Sequence, residues 1–536
     1  MPSLERKLIK AELLQRREEG CDVNEICGRI TAALGGEVDE AGLSRLYDEL
    51  MALPVDDAFP YSEPSTMEDI RSQRPNAPRK LDMAWEDDSL YDRIYGAWLG
   101  RAAGCALGKP VEGWPKTRID KFLNDANALP LDNYLPFVEK MLPGIHRPST
   151  RDNIQYMDRD DDLDFPILGL LALESKGARM TSRTIAQTWL AYMPYGLVYT
   201  AENSAYRNFV QGIWPPESAK YRNPFREWIG AQIRADIFGY AAPGWPEKAA
   251  ELAFRDAAIS HDKNGIYGEM FVAAMIAAAF VHEDVADVIA AGLGEIPENC
   301  RLAKAVHDTL AWCQEEEDWE AVFEKIFEHY GHYHGVHTIN NAALVVMGLY
   351  YGSDDFEQGI VSTVRAGWDT DCTGATVGSI LGIRFGAAAL PDKWVGVLND
   401  RLLSAVRTQN DNKISDLAAR TLEVAKVVAA AKEEDAKVET APLTSTPGGV
   451  WELETGWGDQ VLDFSAGTLE FVGHDMELIK IQSSSYCHPE LKFTYCIDKG
   501  GWDLEIDFEG TVDEDTLEGV YYPYEAPAHG RRISRK

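Results

Sequence analysis

Glycine recurs at every fourth residue in two places, Gly96, Gly100, Gly104 and Gly108, and again Gly374, Gly378, Gly382 and Gly386. That spacing sets each series along one face of a helix, where missing side chains let another backbone come close. In a bilayer the same stripe would suggest helix dimerisation. Here Arg101 interrupts the first stripe and the apolar run around it is short, so a packing seam in a water-soluble domain is expected. No apolar stretch reaches the roughly 18 residues of a spanning helix; "MFVAAMIAAAFV" (270–281) is shorter and reads as a buried helix.

Both stripes border unusual polar segments. After Gly108 the first helix is expected to stop, Pro110 is expected to send the chain out extended, and Glu112 then stands on the following loop. "GWDTDCTG" precedes the second stripe, and in an extended segment Asp369 and Asp371 would point the same way while Thr370 points away. A third segment, "MDRDDDLDFPILGLLALE" (157–174), sets Asp160, Asp161 and Asp162 before an apolar helix, with Asp164 and Pro166 in its first turn. One Asp would cap a helix. Three adjacent carboxylates repel one another unless a positive group neutralises them, which a divalent cation with hard oxygen ligands does. Two acidic loops, each on a helix N-terminus, fit a metal site between facing helices.

The grammar along the chain defines its organisation. Residues 1–87 read as short amphipathic helices followed by a Pro-rich stretch (54–80) expected to be a linker or arm. Residues 88–435 carry period-3.6 segments almost throughout and predict a compact all-α domain. From about 446 to 530 the period changes to 2, in "VWELET", "MELIKIQ", "LKFTYCI" and "WDLEIDFEGTV". Six or so short strands there predict an antiparallel sandwich or small barrel. The fold class is therefore mainly α. Trp451 and Trp502 in the β segment permit carbohydrate contact, although aromatics at strand spacing are more often core.

Charge and cysteine usage narrow the partners. With 52 Lys and Arg against 87 Asp and Glu, the formal net charge is −35, which repels nucleic acid and anionic membranes. An anionic substrate would need a local reversal of sign. The 8 cysteines form no CxxC pair and no disulfide framework, and the N-terminus lacks an apolar signal region. A cytoplasmic protein is expected, with oligomeric state left open.

The ordered motifs "GCALGKPVE", "RDDDLDF" and "GWDTDCTGATVGSILG" closely resemble those of the ADP-ribosylglycohydrolase family, over about residues 88–435. The resemblance implies an all-α fold with two Mg²⁺ or Mn²⁺ ions at the base of a cleft. It implies Asp160, Asp161, Asp162, Asp369 and Asp371 as metal ligands, with Cys372 at the position of a ligand Thr and Asp160 at that of another. Glu112 matches a catalytic loop glutamate, and Asp369 or Asp371 would take a proton from water. His261, Asn223, Gly230 and Arg234 fall where the family contacts its ligand. Cys105 stands where Asp is common. The implied function is metal-dependent hydrolysis of an N- or O-glycosidic bond to ribose, first of an ADP-ribosyl group. A hydrolase of a small nucleoside or glycoside is the alternative, and a ligand-binding protein without catalysis is the alternative of another class.

Overall fold

The computed structural model describes residues 4–35 and 40–431, and from 450 to 534 the strands of the C-terminal segment. The chain divides into two compact units, Met1–Ala431 and Lys432–Lys536.

The first unit is helical apart from one hairpin, Arg401–Leu403 with Asp411–Lys413. Its axis is the glycine seam. Helix Asp87–Gly108 runs antiparallel to helix Thr370–Phe385, with Gly96 against Gly382, Gly100 against Gly378 and Gly104 against Gly374. A Cβ added at Gly374 would stand 2.6 Å from the Gly104 carbonyl oxygen, so backbone meets backbone. The two stripes are thus each other's partners. Gly386 departs from the expected stripe: it ends the second helix at φ 76°, in the left-handed region that glycine tolerates, and faces Asp92. Gly108 instead faces the Thr370 backbone.

Other helices wrap this pair. Asn264–Ala279, which contains the apolar run, is buried at every residue. Helix Ile414–Ala430 packs on the first glycine helix, where the Trp98 indole N–H donates to Thr421 Oγ1 at 3.1 Å. The N-terminal helices Leu4–Glu18, Asn24–Gly35 and Glu40–Met51 share a small core around Ile9, Ile30, Leu43 and Tyr47. They join the rest of the unit through buried charges: Arg226 meets Glu12 and Glu19, each at 2.8 Å, and Gln15 Nε2 donates to Glu227 at 2.6 Å. The Pro-rich stretch lies along the same unit, with Glu63 on Arg301 at 2.7 Å and Arg74 on Glu247 and Glu295.

Among the described residues the second unit forms a 9-stranded antiparallel sheet. Its order is Leu478–Ile479, Glu470–Val472, Gly458–Asp463, Val450–Thr455, Ala526–Ser534, Thr516–Tyr522, Asp503–Asp513, Glu490–Asp498 and Ile481–Cys487. The period-2 pattern is met by burial of Trp451, Leu462, Leu491, Phe508, Leu517 and Tyr521. Trp451 is core, which withdraws it from the carbohydrate-contact reading; Trp502 lies outside the described residues. Among the described residues, no helix is long and apolar enough to cross a membrane.

Candidate metal centre

The seam brings its two acidic loops to one end. Thr370 Oγ1 donates to the Gly108 carbonyl at 2.8 Å, tying the start of one glycine helix to the end of the other. Beyond it, Gly113 N donates to Trp368 O at 2.8 Å and Trp368 N to Trp114 O at 3.0 Å. That pairing passes through Gly367 at φ 88°, where an added Cβ would stand 2.6 Å from the Trp114 carbonyl oxygen.

Two local expectations are corrected. The chain does not leave Gly108 extended: Lys109, before the proline, is helical at φ −45° and ψ −42°, and Lys109–Val111 forms a 3₁₀ turn. The contacts of Lys109's ammonium with the Arg159 carbonyl and the Asp158 and Asp160 carboxylates, with the seam at Gly108, outweigh the usual pre-proline bias. Asp369 and Asp371 do not alternate along a strand either. Asp369 immediately precedes the helix, at φ −93° and ψ 76°, and Asp371 occupies its first turn. They converge because one helix start carries both. The Asp369 side chain makes no capping bond.

On the facing side Asp160 caps helix Asp161–Lys176, accepting from Asp162 N at 3.1 Å. The acidic side chains form three groups, each with ligand atoms within 4.8 Å of one another: Glu112, Asp369 and Asp371; Asp162, Asp371 and Cys372; Cys105, Asp160 and Asp162. Asp161 lines the cleft beside them and belongs to none of the three.

Cations offset part of this charge. Arg101, fully buried, reaches Asp162 at 3.0 Å and Asp236 at 2.7 Å. Lys109 Nζ stands 3.2 Å from Asp160 and 3.5 Å from Asp158, and Arg159 reaches Asp164 at 2.7 Å. Asp371 Oδ1 is buried with no hydrogen-bond partner. Burial, then the neighbouring carboxylates Glu112 and Asp369, pushes Asp371 well above the usual range for a carboxylic acid. Burial also raises Asp161 and Asp162, the second against the opposing pull of Arg101. Glu112 has an edge in the open cleft, yet burial of its inner part and the charges of Asp369 and Asp160 push it up to about 7. A divalent cation would relieve all of these at once, and the buried, unpartnered Oδ1 of Asp371 is an oxygen such an ion could take as ligand. The residues present fit such an ion.

The groups open into a cleft of about 650 Å³ whose wall includes Ile145, Leu197, Tyr199, Trp228 and Val336. Trp228 is held flat against His334, ring centroids 4.3 Å apart. Of the four expected ligand contacts only Gly230 lines the cleft. Asn223 is buried behind it, donating to Ala219 O and Ser260 O at 2.8 Å each. Arg234 is fixed by Glu202 at 2.7 Å and by Asp256. His261 bonds Ser260 through Nδ1 at 2.8 Å, and burial followed by Arg234 keeps it neutral. These three are committed to the wall. Residues not singled out by sequence also reach the cleft, notably Lys109, Arg159 and Glu202. Lys109 was visible within "GKPVE", but nothing in its spacing marks a lysine that folds back onto Asp160.

A family model described as ADP-ribosylglycohydrolase matches residues 86–431. An ADP-ribosyl-[dinitrogen reductase] glycohydrolase of Rhodospirillum rubrum is 24% identical over 333 residues, which cover 60% of this chain and 96% of that protein. A solved structure titled ADP-ribosylglycohydrolase-related protein complex is 18% identical with a TM-score of 0.42, covering 64% of this chain and 99% of that one.

Proposed function

Because the chain belongs to the ADP-ribosylglycohydrolase family, we propose that it is a divalent-metal-dependent hydrolase of an N- or O-glycosidic bond to ribose, first of an ADP-ribosyl group. The observation that carries the metal dependence is the convergence of Glu112, Asp369 and Asp371, joined through Asp371 to Asp162 and Cys372. Mg²⁺ or Mn²⁺ would be held by the aspartates of these groups and would supply Lewis-acid activation of water and of the ribose hydroxyls. Asp369 or Asp371 accepts the proton of the attacking water as its oxygen bonds the anomeric carbon. Glu112, with its acidity shifted toward neutrality, gives a proton to the departing nitrogen or oxygen. The remaining carboxylates stabilise the positive charge that develops on the sugar ring. The free cysteines Cys21, Cys27, Cys105, Cys300, Cys313 and Cys372 suit a reducing compartment, and we assign the reaction to the cytoplasm.

One observation favours a second reading, hydrolysis of a small nucleoside or glycoside. Among the described residues the basic side chains lining the cleft, Lys109 and Arg159, are already paired with Asp158, Asp160 and Asp164. The carboxylate of Glu202, held by Arg234 at 2.7 Å, fills the space beside Gly230. A substrate panel separates the readings. With Mn²⁺ bound, release of ADP-ribose from ADP-ribosylated arginine or serine supports the first, and turnover of uncharged nucleosides or glycosides alone supports the second. Metal bound with no turnover of either class would sink both in favour of a binding protein.

A further inference from the structure

The three acidic groups are not alike in chemistry. Glu112, Asp369 and Asp371 offer oxygen only. Asp162, Asp371 and Cys372 include a sulfur, and a second sulfur, Cys105, adjoins Asp162 from the other glycine helix. Both thiols are buried, at 0% and 7% exposure, where reaction with solvent species is not their role. The Cys372 sulfur lies within 4.8 Å of a carboxylate oxygen of Asp162 and one of Asp371, so it already stands among the carboxylates that would share an ion. Asp371 belongs to both the oxygen group and the sulfur group, and its Oδ1 is buried without a hydrogen-bond partner. Hard cations prefer carboxylate oxygen, whereas thiolate selects Zn²⁺ and other soft ions.

We propose that the centre holds two unlike cations: a hard one, Mg²⁺ or Mn²⁺, on Asp369 and Asp371 beside Glu112, and a thiophilic one, Zn²⁺ first, on Asp162, Asp371 and Cys372, with Cys105 beside it. The proposal rests on the metal reading above and adds the division of labour. Asp371 bridges the two positions. On binding, the Cys372 thiol transfers its proton to solvent and the freed thiolate bonds the metal. Lys109, saturated by Asp158, Asp160 and the Arg159 carbonyl, keeps Asp160 out of the competition.

Chelator-treated full-length protein is titrated with Cd²⁺, whose bonds to thiolate absorb in the ultraviolet, and separately with Mn²⁺ followed by its paramagnetic resonance signal. The expected result is a sulfur-to-cadmium band that Cys372→Thr removes and Cys105→Asp/Cys372→Thr does not restore. Zn²⁺ affinity should fall at least about tenfold in Cys372→Thr, while Mn²⁺ affinity stays within about threefold. Far-ultraviolet dichroism checks the fold, and Cys372→Ser serves in its place if the threonine variant does not fold. Mn²⁺ binding with the cadmium band unchanged in Cys372→Thr or Cys372→Ser overturns the sulfur position and leaves the metal reading intact. Failure of wild-type protein to bind Mn²⁺, Zn²⁺ or Cd²⁺ overturns both.

Discussion

Two regions of the helical unit bury carboxylates in quantity and resolve the problem in opposite ways. Where the N-terminal helices dock, Glu12, Glu19, Glu63 and Glu227 meet Arg226, Arg16 and Arg301. The pairing is strong enough to hold Glu19 down to about 2, despite its burial, chiefly through Arg226 and then Lys263. At the cleft, Glu112, Asp160, Asp161, Asp162, Asp369 and Asp371 share Lys109, Arg101 and Arg159, two of which are also engaged by Asp236 and Asp164. In the first, each of these four carboxylates is ion-paired with a guanidinium. The second carries an excess of negative charge that the protein alone does not cancel, and this difference separates a joint from a binding site.

The contrast is sharpened most by removing one acid from the cleft. Asp371→Ala is expected to weaken Mn²⁺ binding at least about 100-fold, read by metal titration. In the chelator-treated state the same variant should melt higher than wild type, because repulsion with Glu112 and Asp369 is relieved. A lower melting temperature there would break the claim of uncompensated charge. Removing a cation from the joint should do the reverse. Arg226→Ala leaves Glu12 without its guanidinium and should cost about 3–5 kcal/mol in denaturant unfolding; a loss below about 1 kcal/mol would make the joint a surface feature in energetic terms.

A smaller effect tests how the cleft is held. Gly104→Ala drives a methyl into the Gly374 backbone and should cost about 1–3 kcal/mol, with a fall in Mn²⁺ affinity although no ligand changes. Stability lost with metal affinity untouched would uncouple the seam from the centre.

The smallest is a pH effect at the joint. His337 lies in its core, Nε2 4.0 Å from Glu18, and burial lowers it to about 3. A histidine depressed on folding contributes stability that is present above its unfolded value of about 6.5 and lost as pH falls through that value toward 3. Glu18, raised to about 7 by burial and then by Glu227, runs the other way, losing its contribution as pH rises toward 7. Between about 4.5 and 6.5 the two oppose each other, so the melting temperature of His337→Gln, which leaves Glu18 acting alone, should gain on that of wild type at stepped pH as pH falls from 6.5.

Sequence periodicity carried the helical body, the β segment and the glycine stripes, because each depends on a repeat that local spacing encodes. Asp160, Asp162, Asp369 and Asp371 were legible for a different reason: acids this dense need a counter-charge wherever they fold. The partners of Arg101 and Lys109 were not legible, since Asp236 and Asp160 lie 135 and 51 residues away along the chain. Nor was the displacement of Asn223, Arg234 and His261 into the wall, which depends on Glu202 and Ser260 arriving from elsewhere. Asp369 and Asp371 were found through the wrong local geometry: Asp369 stands in a non-helical turn just ahead of the helix that carries Asp371, and that turn, not a strand's alternation, lets both reach one group.

The bond from Thr370 to the Gly108 carbonyl has a consequence in time. Its partners are 262 residues apart, and neither acidic loop has its final neighbour until the second glycine helix has left the ribosome and docked. For most of its synthesis, the domain carries the first half of the centre as an open, hydrated run of aspartates. The full set of acids therefore comes together only once some seven-tenths of the 536 residues have been made.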